Sequence, residues 1–428
     1  MSVGIDIVKI DRIEKALLND NFIKKILSDK EITETKGNIL HIAASFAAKE
    51  AFSKAIGTGI RGFDFTDISV LHDTLGKPYF EFSDRVNEIL NKKGITKAEL
   101  SITHEKEYAM AVVIVKYDKM FEQYKKAISV FEDNMEQNII TPSLITKSIT
   151  KRNKDIHKGD CGRLFILAGS KGLTGAAIMC SRAALKSGAG LISLGCAKSL
   201  NNIFEIATPE VMTIPLSDND GIITNKDINK IIQKANESDC VLIGPGLSVT
   251  KDTCNVVYEI IRNCTKPLII DADGINAIAK NIDILKDKKS DIVITPHIGE
   301  FARLVNKDSK QILDDTKKFA SEFAKEHQIT VVLKCHKTVV AEKNGKTYTN
   351  ILGNPGMATG GSGDVLCGII ASFTAQKLSI EKAAYTGVYI HSLAADMMAQ
   401  DIGEYGLTPS DITDGIPYAI KYSINNGM

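Results

Sequence analysis

Residues 353–364 combine several glycines with a single carboxylate, and the stretch is too rich in glycine to belong to a core. Gly360, Gly361 and Gly363 permit backbone angles that a Cβ forbids, so several N–H groups can point into one concavity. The apolar run over residues 365–373 predicts a helix. Free N–H groups and the dipole at the N-terminus of that helix favour an anion such as phosphate. We call residues 353–364 the glycine loop.

Asp364 ends the glycine loop and is an unexpected neighbour for a phosphate, because a carboxylate repels that anion. In one interpretation Asp364 is a base or a metal-handling group that acts on the molecule meeting the phosphate. In the other it is an ordinary N-cap of the following helix. Short motifs recur by chance, so the glycine loop alone does not choose between the two.

A second set of reactive side chains lies near the N-terminus. Asp6 interrupts a β-branched run that predicts a strand, and a buried carboxylate there needs a partner, of which a metal ion is one option. Glu50 and Lys54 are four residues apart on a predicted helix, so they project from one face, either as a site or as a surface ion pair. His104 falls in a predicted loop before an apolar strand, where a structural role is the alternative to a functional one.

The elements that carry these residues differ between the two parts of the chain. In the first 117 residues a predicted strand at 2–8 is followed by helical patterns at 10–18, 22–27 and 43–56. Beyond about residue 145, strand-like runs alternate with helical patterns. These runs cover residues 164–169, 191–195, 240–244, 268–271, 291–295 and 330–334. The alternation predicts an α/β domain with a mainly parallel sheet covered by helices on both faces.

Ligands of such α/β folds bind beyond the carboxyl ends of the strands. In this sequence those ends carry polar and glycine residues, namely Gly169, Ser170, Gly244, Gly246, Asp271, Asp273, Thr295, His297 and Lys334. Each could serve only a turn, but their gathering at one predicted rim indicates a site.

Composition limits the classes of function. The chain has 428 residues, 44% of them hydrophobic and 25% charged, which is typical of a globular protein with two or three domains. A formal net charge of +1 gives no overall field that favours nucleic acid or a membrane surface. The eight cysteines contain no C-x-x-C pair, so we expect buried thiols rather than zinc ligands or disulfides. We find no signal peptide and no bilayer-length apolar run, and we expect a cytoplasmic protein.

Residues 118–144 are mixed and charged, with one proline and no glycine. Phe121, Tyr124, Ile128 and Phe131 recur there at helical spacing, which favours a connecting helix. We therefore expect a first module at 1–117, a linker at 118–144 and a second module at 145–428.

The first module resembles holo-[acyl-carrier-protein] synthase. The motifs that carry the resemblance lie at residues 4–8, 46–55, 57–59, 75–78 and 103–104. The resemblance implies an α+β fold, transfer of 4′-phosphopantetheine from coenzyme A to a serine of apo acyl carrier protein, and a homotrimer with active sites between subunits. Ser45 and Thr103 depart from the family, which usually has arginine and serine there.

By this resemblance, Asp6 and Glu50 hold Mg²⁺ against the pyrophosphate of coenzyme A. Two carboxylates, completed by phosphate oxygens and waters, suit that hard cation. Glu50 and Lys54 are the implied catalytic residues, Lys54 by neutralising charge that develops on the phosphates, and His104 contacts coenzyme A. Candidates for binding the acidic carrier protein are Arg12, Lys24 and Lys25.

The second module lacks both the Rossmann glycine fingerprint and a P-loop. Its phosphate-binding loop comes late in the chain, which is the ribokinase-like arrangement. Within that superfamily the module resembles ADP-dependent NAD(P)H-hydrate dehydratase, a carbon–oxygen lyase. The motifs that carry the resemblance lie at residues 157–160, 162–163, 172–176, 188–191, 244–247, 271–273, 295–300, 353–364 and 391–394.

This second resemblance implies that ADP drives dehydration of the S-hydrate of NADH or NADPH, giving AMP, phosphate and the repaired cofactor. By position, the hydrate is lined by Ala176, Gly246, His297 and Asp364. The adenine nucleotide is bound by Lys334, Cys335, His336, Lys337, Thr338 and Gly363. Hydroxide leaves poorly, so phosphorylating the C6 hydroxyl creates a leaving group, with Asp364 taking the hydroxyl proton and loop N–H groups stabilising the transferring phosphoryl group.

Two alternatives stay open for the second module. A ribokinase-like kinase of a vitamin alcohol, such as a hydroxymethylpyrimidine or a thiazole alcohol, would use Asp364 equally well but leaves residues 157–160 and 295–297 without a role. A catalytically silent nucleotide-binding module is the other, and the intact Asp6, Glu50 and Asp364 argue against it.

Overall fold

The computed structural model describes residues 1–19, 21–117, 138–149, 151–153 and 155–425. The chain forms two compact units, Met1–Val130 and Phe131–Met428. Most of the expected linker, including its expected helix, lies outside the described residues. In the described part of the expected linker, Ile139 forms a β-bridge with Thr349 and so packs with the second unit. No helix among the described residues is long and apolar enough to cross a bilayer.

The first unit has an α+β fold. Its elements are β1 (Ser2–Lys9), α1 (Ile10–Ala16), α2 (Asn21–Ile26), α3 (Asp29–Thr35), α4 (Ile39–Ala55), β2 (Ile68–His72), β3 (Pro78–Phe82), α5 (Asp84–Lys92), β4 (Ile95–His104) and β5 (Tyr108–Tyr117). Strands β1, β5 and β4 form an antiparallel sheet in that order, and β2 pairs with β3 in a separate hairpin. The predicted loop around His104 is wrong, because residues 95–104 continue as strand β4 and His104 is its last residue.

Helix α4 packs directly on this sheet and is the central helix of the first unit. Asn38 caps its N-terminus by accepting a hydrogen bond from the backbone of Leu40, and Gly57, with φ of +71°, follows its end. Small residues allow close packing, since a Cβ on Gly4 of β1 would lie 1.9 Å from the carbonyl oxygen of Ala51. Strand β1 and helix α4 therefore hold Asp6 and Glu50 on adjoining surfaces.

A fully buried ion pair ties α4 to the rest of the first unit. Lys49 Nζ lies 2.6 Å from Glu31 Oε2, and both side chains have 0% exposure. Lys49 also donates to the carbonyl oxygens of Ile26 at 2.7 Å and Phe65 at 2.9 Å. The backbone N–H of Val70 donates to the other oxygen of Glu31 at 3.0 Å. Both charges are fully hydrogen-bonded, which is the condition for tolerating such a pair in a core.

The second unit is an α/β domain, as the alternating pattern predicts. Its strands are β6 (Arg163–Leu167), β7 (Leu191–Ala197), β8 (Met212–Leu216), β9 (Asp218–Asn219), β10 (Ile222–Ile223), β11 (Cys240–Ile243), β12 (Leu268–Ile270), β13 (Ile292–Ile294), β14 (Thr330–Leu333), β15 (Val339–Ala341) and β16 (Thr347–Thr349). Its helices are α6 (Pro142–Thr146), α7 (Thr174–Lys186), α8 (Asn201–Ala207), α9 (Ile228–Asn236), α10 (Lys251–Asn263), α11 (Asp273–Lys280), α12 (Ile298–Val305), α13 (Ser309–Asp314), α14 (Thr316–His327), α15 (Ser362–Ala375), α16 (Ile380–Ile402) and α17 (Pro409–Asn425).

A nine-stranded sheet forms the core of this unit in the order β16-β15-β14-β13-β12-β11-β6-β7-β8. The seven strands from β14 to β8 are parallel, whereas β15 and β16 turn back antiparallel. The six predicted strands of the second module are confirmed, within a residue or two at their ends. Strands β8, β15 and β16 of this sheet were not predicted, and β15 and β16 form a short antiparallel hairpin outside the alternation of strands and helices on which the prediction rests. Since the parallel strands point the same way, their carboxyl ends lie at one edge.

We expect the first unit to be strongly destabilised when one partner of the buried Lys49–Glu31 pair is removed. Glu31→Ala leaves an uncompensated ammonium in the core and should lower the free energy of unfolding of this unit by about 3–5 kcal/mol. Urea unfolding of the full chain, followed by hydrogen exchange of the α4 amides, measures the change. The matched control is Glu81→Ala, which removes the partner of Lys30 in a surface ion pair and should cost less than about 1 kcal/mol. Equal losses in the two variants would contradict the assignment.

Candidate active sites

Three neighbouring parallel strands deliver one charged cluster to the edge of the large sheet. Asp271 follows β12, Thr295 follows β13 and Lys334 follows β14. Asp271 Oδ1 accepts hydrogen bonds from Thr295 Oγ1 at 2.7 Å and Lys334 Nζ at 2.9 Å. Burial lowers the pKa of Lys334, but the carboxylates of Asp271 and Glu300 outweigh it, so the net pKa is raised. Lys334 is therefore a permanently charged group at this edge.

The glycine loop brings the N-terminus of α15 against Lys334. Gly361, with φ of +98°, is the N-cap of this helix, a conformation that favours glycine. Asp364 lies in the first turn of the helix instead, so the interpretation of Asp364 as the N-cap is wrong. A Cβ on Gly363 would lie 3.0 Å from Lys334 Nζ. The bare backbone at Gly363 thus leaves room for Lys334 beside the helix N-terminus, where an anion is favoured.

Asp364 has the electrostatic properties of a general base that works near neutral pH. Burial, and then the carboxylate of Asp271, raise the pKa of Asp364 to about 7, against the opposing charge of Lys334. Among the described residues, no hydrogen bond to its carboxylate oxygens is found. A half-buried carboxylate with a pKa near the working pH and free oxygens is suited to proton abstraction.

A cavity of about 780 Å³ opens beside Lys334 and the glycine loop. We call it the Lys334 cavity. Of the six residues expected to bind the nucleotide, five line it, namely Lys334, Cys335, His336, Thr338 and Gly363. Its volume falls in the range of small-molecule sites. The structure thus brings these five expected residues around one cavity, and His297, expected to bind the hydrate, lines it as well.

The remaining expected hydrate-binding residues meet at the neighbouring loops. Gly246 follows β11, and a Cβ there would lie 3.0 Å from the Cβ of Ala176 and 2.8 Å from the carbonyl oxygen of Leu173. The Gly246 backbone, with φ of +58°, is held by the buried Ser170, whose hydroxyl donates to the Gly246 carbonyl at 2.8 Å. Ala176 and Gly246 are therefore in contact, at the edge where β6 and β11 end.

His297 is the N-cap of α12, which fixes its tautomer. Its Nδ1 accepts hydrogen bonds from the backbone N–H groups of Gly299 at 3.0 Å and Glu300 at 3.4 Å. The neutral ring must therefore carry its proton on Nε2. The side chain is 56% exposed, so Nε2–H is available as a donor to a ligand.

Two residues on α16 support the glycine loop, and neither was expected to have a role. Buried His391 has its Nε2 3.3 Å from the hydroxyl of Ser362, at the start of α15. Burial, and then the charge of Lys334, lower the pKa of His391 to about 4, so the ring is neutral. Asp396 accepts hydrogen bonds from the backbone of Gly353 at 2.9 Å and the side chain of Asn354 at 2.8 Å. The sequence pointed to this region only through the motif at 391–394, and that motif does not indicate which residues His391 or Asp396 would contact.

In the first unit, three of the expected residues meet. Lys54 Nζ lies 2.7 Å from Asp6 Oδ1 and donates to the carbonyl of Ile5 at 3.2 Å. Burial, and then the carboxylate of Asp6, raise the pKa of Glu50, with Lys54 and Arg12 opposing the rise. Two adjacent carboxylates suit a hard cation that takes its other ligands from phosphate and water. In the described part of the chain, no group of three His, Cys, Asp or Glu side chains could hold a metal ion.

His104 is not brought to this group within one protomer. In the sheet His104 lies opposite Ala109, whereas Asp6 lies opposite Ala111. Strand spacing and rise place the Cα atoms of His104 and Asp6 roughly 12 Å apart on the same face. The expected carrier-protein contacts Arg12, Lys24 and Lys25 are all exposed.

Known protein families match both modules of the chain. The family model described as NAD(P)H-hydrate dehydratase matches residues 164–418, and that of the 4′-phosphopantetheinyl transferase superfamily matches residues 2–113. The bifunctional NAD(P)H-hydrate repair enzyme Nnr of Moorella thermoacetica is 36% identical over 67% of this chain and 54% of its own length. This chain thus spans about half the length of such bifunctional relatives.

Two further relatives match over nearly their whole length. The ADP-dependent (S)-NAD(P)H-hydrate dehydratase of Staphylococcus aureus is 33% identical over 66% of this chain and 97% of its own. A crystal structure of the ADP/ATP-dependent NAD(P)H-hydrate dehydratase of Bacillus subtilis, co-crystallised with ATP and Mg²⁺, is 26% identical with a TM-score of 0.58, over 68% of this chain and 99% of its own. The chain therefore belongs to the NAD(P)H-hydrate dehydratase family and carries a 4′-phosphopantetheinyl transferase superfamily module at its N-terminus.

Proposed function

We propose that the second module, residues 145–428, uses ADP to dehydrate the S-hydrate of NADH or NADPH, giving AMP, phosphate and NAD(P)H. The observation that carries this proposal is the position of Asp364, a carboxylate with pKa about 7, in the same helix turn as Gly363 beside Lys334. A base and an anion site side by side are what phosphorylation of an alcohol requires. The relatives from Moorella thermoacetica and Staphylococcus aureus, which are named for NAD(P)H hydrate, support the hydrate as the alcohol.

The proposed reaction begins when Asp364 takes the proton of the C6 hydroxyl of the hydrate. The hydroxyl oxygen then attacks the β-phosphorus of ADP, and the bond from that phosphorus to the bridging oxygen breaks to release AMP. Lys334 and the N–H groups at the start of α15 stabilise the charge on the transferring phosphoryl group. The lone pair of the ring nitrogen then expels phosphate from C6, and loss of a proton from C5 restores the double bond.

The contact between Gly246 and Ala176 supports a hydrate rather than a small vitamin alcohol as the substrate. These residues extend the site beyond the Lys334 cavity, along the ends of β6 and β11. His297, which lines the cavity, adds an Nε2–H donor. A dinucleotide uses such a long surface, whereas a single-ring alcohol leaves most of it empty.

We propose that the first module, residues 1–117, transfers 4′-phosphopantetheine from coenzyme A to a serine of apo acyl carrier protein. Asp6 and Glu50 would hold Mg²⁺, which supplies charge neutralisation at the pyrophosphate when bound. Lys54 is positioned by Asp6 and adds a second positive charge for the phosphates. Exposed Arg12, Lys24 and Lys25 suit an acidic carrier protein.

The outer face of the first sheet supports a homo-oligomer, which we propose to be a trimer. Val3, Ile5 and Ile7 of β1 are 55%, 51% and 58% exposed, and Ile114 of β5 is 37% exposed. Val3 and Ile114 are direct cross-strand partners, so the apolar side chains form one contiguous patch. A second copy would cover this patch. His104, distant from Asp6 in its own protomer, would then complete a neighbour's site.

As pH rises, deprotonation of Asp364 should increase activity and decrease the stability of the fold. The pKa of Asp364 is about 7 in the folded chain, against an ordinary value of 3.8. The unfolded chain therefore binds fewer protons between those pH values, and stability falls as pH rises through them. We expect kcat/KM to rise with pH and level off above about pH 7. Asp364→Asn should raise the free energy of unfolding at pH 8, by up to about 4 kcal/mol, with the gain fading near pH 4. Thermal melts across this range measure it. Asp220→Asn, at an exposed surface pair, should show no such trend, and a gain independent of pH would refute the account.

The two activities should separate by mutation. Asp364→Asn should lower ADP-dependent dehydration by about 10²–10⁴-fold, the typical contribution of a general base, and leave transfer of phosphopantetheine unchanged. Asp6→Ala should do the reverse. Phosphate release from ADP with NADH hydrate, and labelling of apo acyl carrier protein by coenzyme A, measure the two. If a vitamin alcohol stimulated phosphate release and the hydrate did not, the dehydratase proposal would be wrong. Loss of both activities in a folded single variant would refute independent sites.

The apolar patch on the first sheet should be required for assembly. Ile7→Lys places a charge in the patch and should yield a smaller assembly in sedimentation velocity, with loss of phosphopantetheine transfer and normal dehydration. Leu75→Lys is the matched control, because Leu75 is 92% exposed at a turn outside the patch. An unchanged mass and transfer rate in Ile7→Lys would contradict the proposal.

A further inference from the structure

Arg303 carries a positive charge that the structure does not compensate. It is exposed in the last turn of α12, and its Nε and Nη2 donate to Asn276 Oδ1 at 3.2 and 2.8 Å. That acceptor is a neutral amide. Within the described residues no carboxylate lies within ion-pair distance of Arg303. The guanidinium is thus held in place without being neutralised, which is how a protein presents a cation to an anionic ligand.

The free end of the guanidinium points along the surface that carries His297. A Cβ on Gly299 would lie 3.9 Å from Arg303 Nη1 and 3.0 Å from Cε1 of the His297 ring. Glycine at position 299 therefore leaves an open patch with the imidazole on one side and Nη1 on the other. Asn276 engages the N–H of Nε and one N–H of Nη2, so both donors of Nη1 and the second donor of Nη2 remain.

A chain of hydrogen bonds ties Arg303 to the loop of Gly246. The backbone N–H of Ser248 donates to Asp273 Oδ2 at 2.8 Å, and Asn276 Nδ2 donates to Asp273 Oδ1 at 3.2 Å. Asn276 in turn orients Arg303. Asp273 is close enough to contribute to the raised pKa of Asp364. Arg303 is thus connected through Asn276 and Asp273 to the loop of Gly246, and it lies beside His297, so it adjoins both loops assigned to the hydrate.

We propose that Arg303 binds the diphosphate of the dinucleotide hydrate and so determines that the substrate is a dinucleotide; this rests on the proposed dehydratase function. The diphosphate is separated from the reacting ring by one ribose and carries two negative charges. Guanidinium is the side chain best suited to phosphate oxygens. Arg303 lies beside His297 and is tied to the loop of Gly246, both of which are assigned to the hydrate, so we assign the hydrate rather than ADP as its ligand.

The test compares substrates with and without phosphates. Arg303→Gln should raise KM for NADH hydrate by about 10- to 100-fold, the loss expected for one charged hydrogen-bonding group, with kcat and the KM for ADP little changed. The hydrate of reduced nicotinamide riboside lacks the diphosphate, and its inhibition constant against NADH hydrate should be the same for wild type and Arg303→Gln. Arg303→Lys should be intermediate, because it keeps the charge and loses the fork on Asn276. The KM of wild type should also rise more steeply with salt than that of Arg303→Gln.

Arg182→Gln is the matched control, since Arg182 is likewise exposed and donates only to a neutral acceptor, the carbonyl of Ala207. It should leave every constant unchanged. The inference fails, and the dehydratase function stands, if Arg303→Gln dehydrates NADH hydrate with normal KM, if KM for ADP rises instead, or if riboside binding weakens equally. If wild-type protein does not dehydrate NADH hydrate at all, the proposed dehydratase function is wrong, and the role of Arg303 is wrong with it. Circular dichroism of Arg303→Gln separates any such result from unfolding.

Discussion

A lysine ammonium and an aspartate carboxylate meet at the carboxyl edge of the large sheet, and the geometry of the second site depends on that contact. Asp271 is almost fully buried, so its charge is tolerated only because Lys334 and Thr295 donate to it. Lys334 is thereby fixed beside Gly363, where its charge reaches the N-terminus of α15. Burial, and then the carboxylate of Asp271, raise the pKa of Asp364 to about 7, while the charge of Lys334 opposes the rise.

Backbone geometry is what allows these charges to come so close. Gly363 has no Cβ to displace Lys334 Nζ, and Gly361 adopts a φ of +98° at the start of α15. Two residues of α16 hold the glycine loop. Asp396 accepts hydrogen bonds from the backbone of Gly353 and the side chain of Asn354, and the neutral ring of His391 lies beside the hydroxyl of Ser362. The loop is therefore rigidly supported, which electrostatic catalysis requires, because donors that need no rearrangement stabilise a transition state most.

The sequence predicted six of the seven parallel strands and the rim where they end, because buried parallel strands read as short apolar runs and their ends are marked by glycine and polar residues. It did not predict β8, which is only partly buried and contains Pro215, so it does not read as an apolar run. The resemblance to the dehydratase family, and not the pattern of residues, named the six nucleotide contacts, and five of those six residues line the Lys334 cavity. The sequence did not predict His391 or Asp396 as supports, because their partners are 29 and 43 residues away and no period or spacing encodes such a contact. The same holds for the pairing of Lys49 with Glu31, which are 18 residues apart.

The two units also show how a structural charge differs from one available for chemistry. Lys49 and Glu31 have 0% exposure, and their hydrogen-bonding capacity is taken up by each other and by backbone groups. Asp364 is half-buried and desolvated enough to shift its pKa, yet in the described residues its oxygens have no donor. A buried charge with every partner present fixes a fold, whereas a desolvated charge without partners costs stability that only a bound ligand can offset. Arg303 is exposed and does not carry that cost, but like Asp364 it has no ion-pair partner among the described residues, so its charge is available to a ligand.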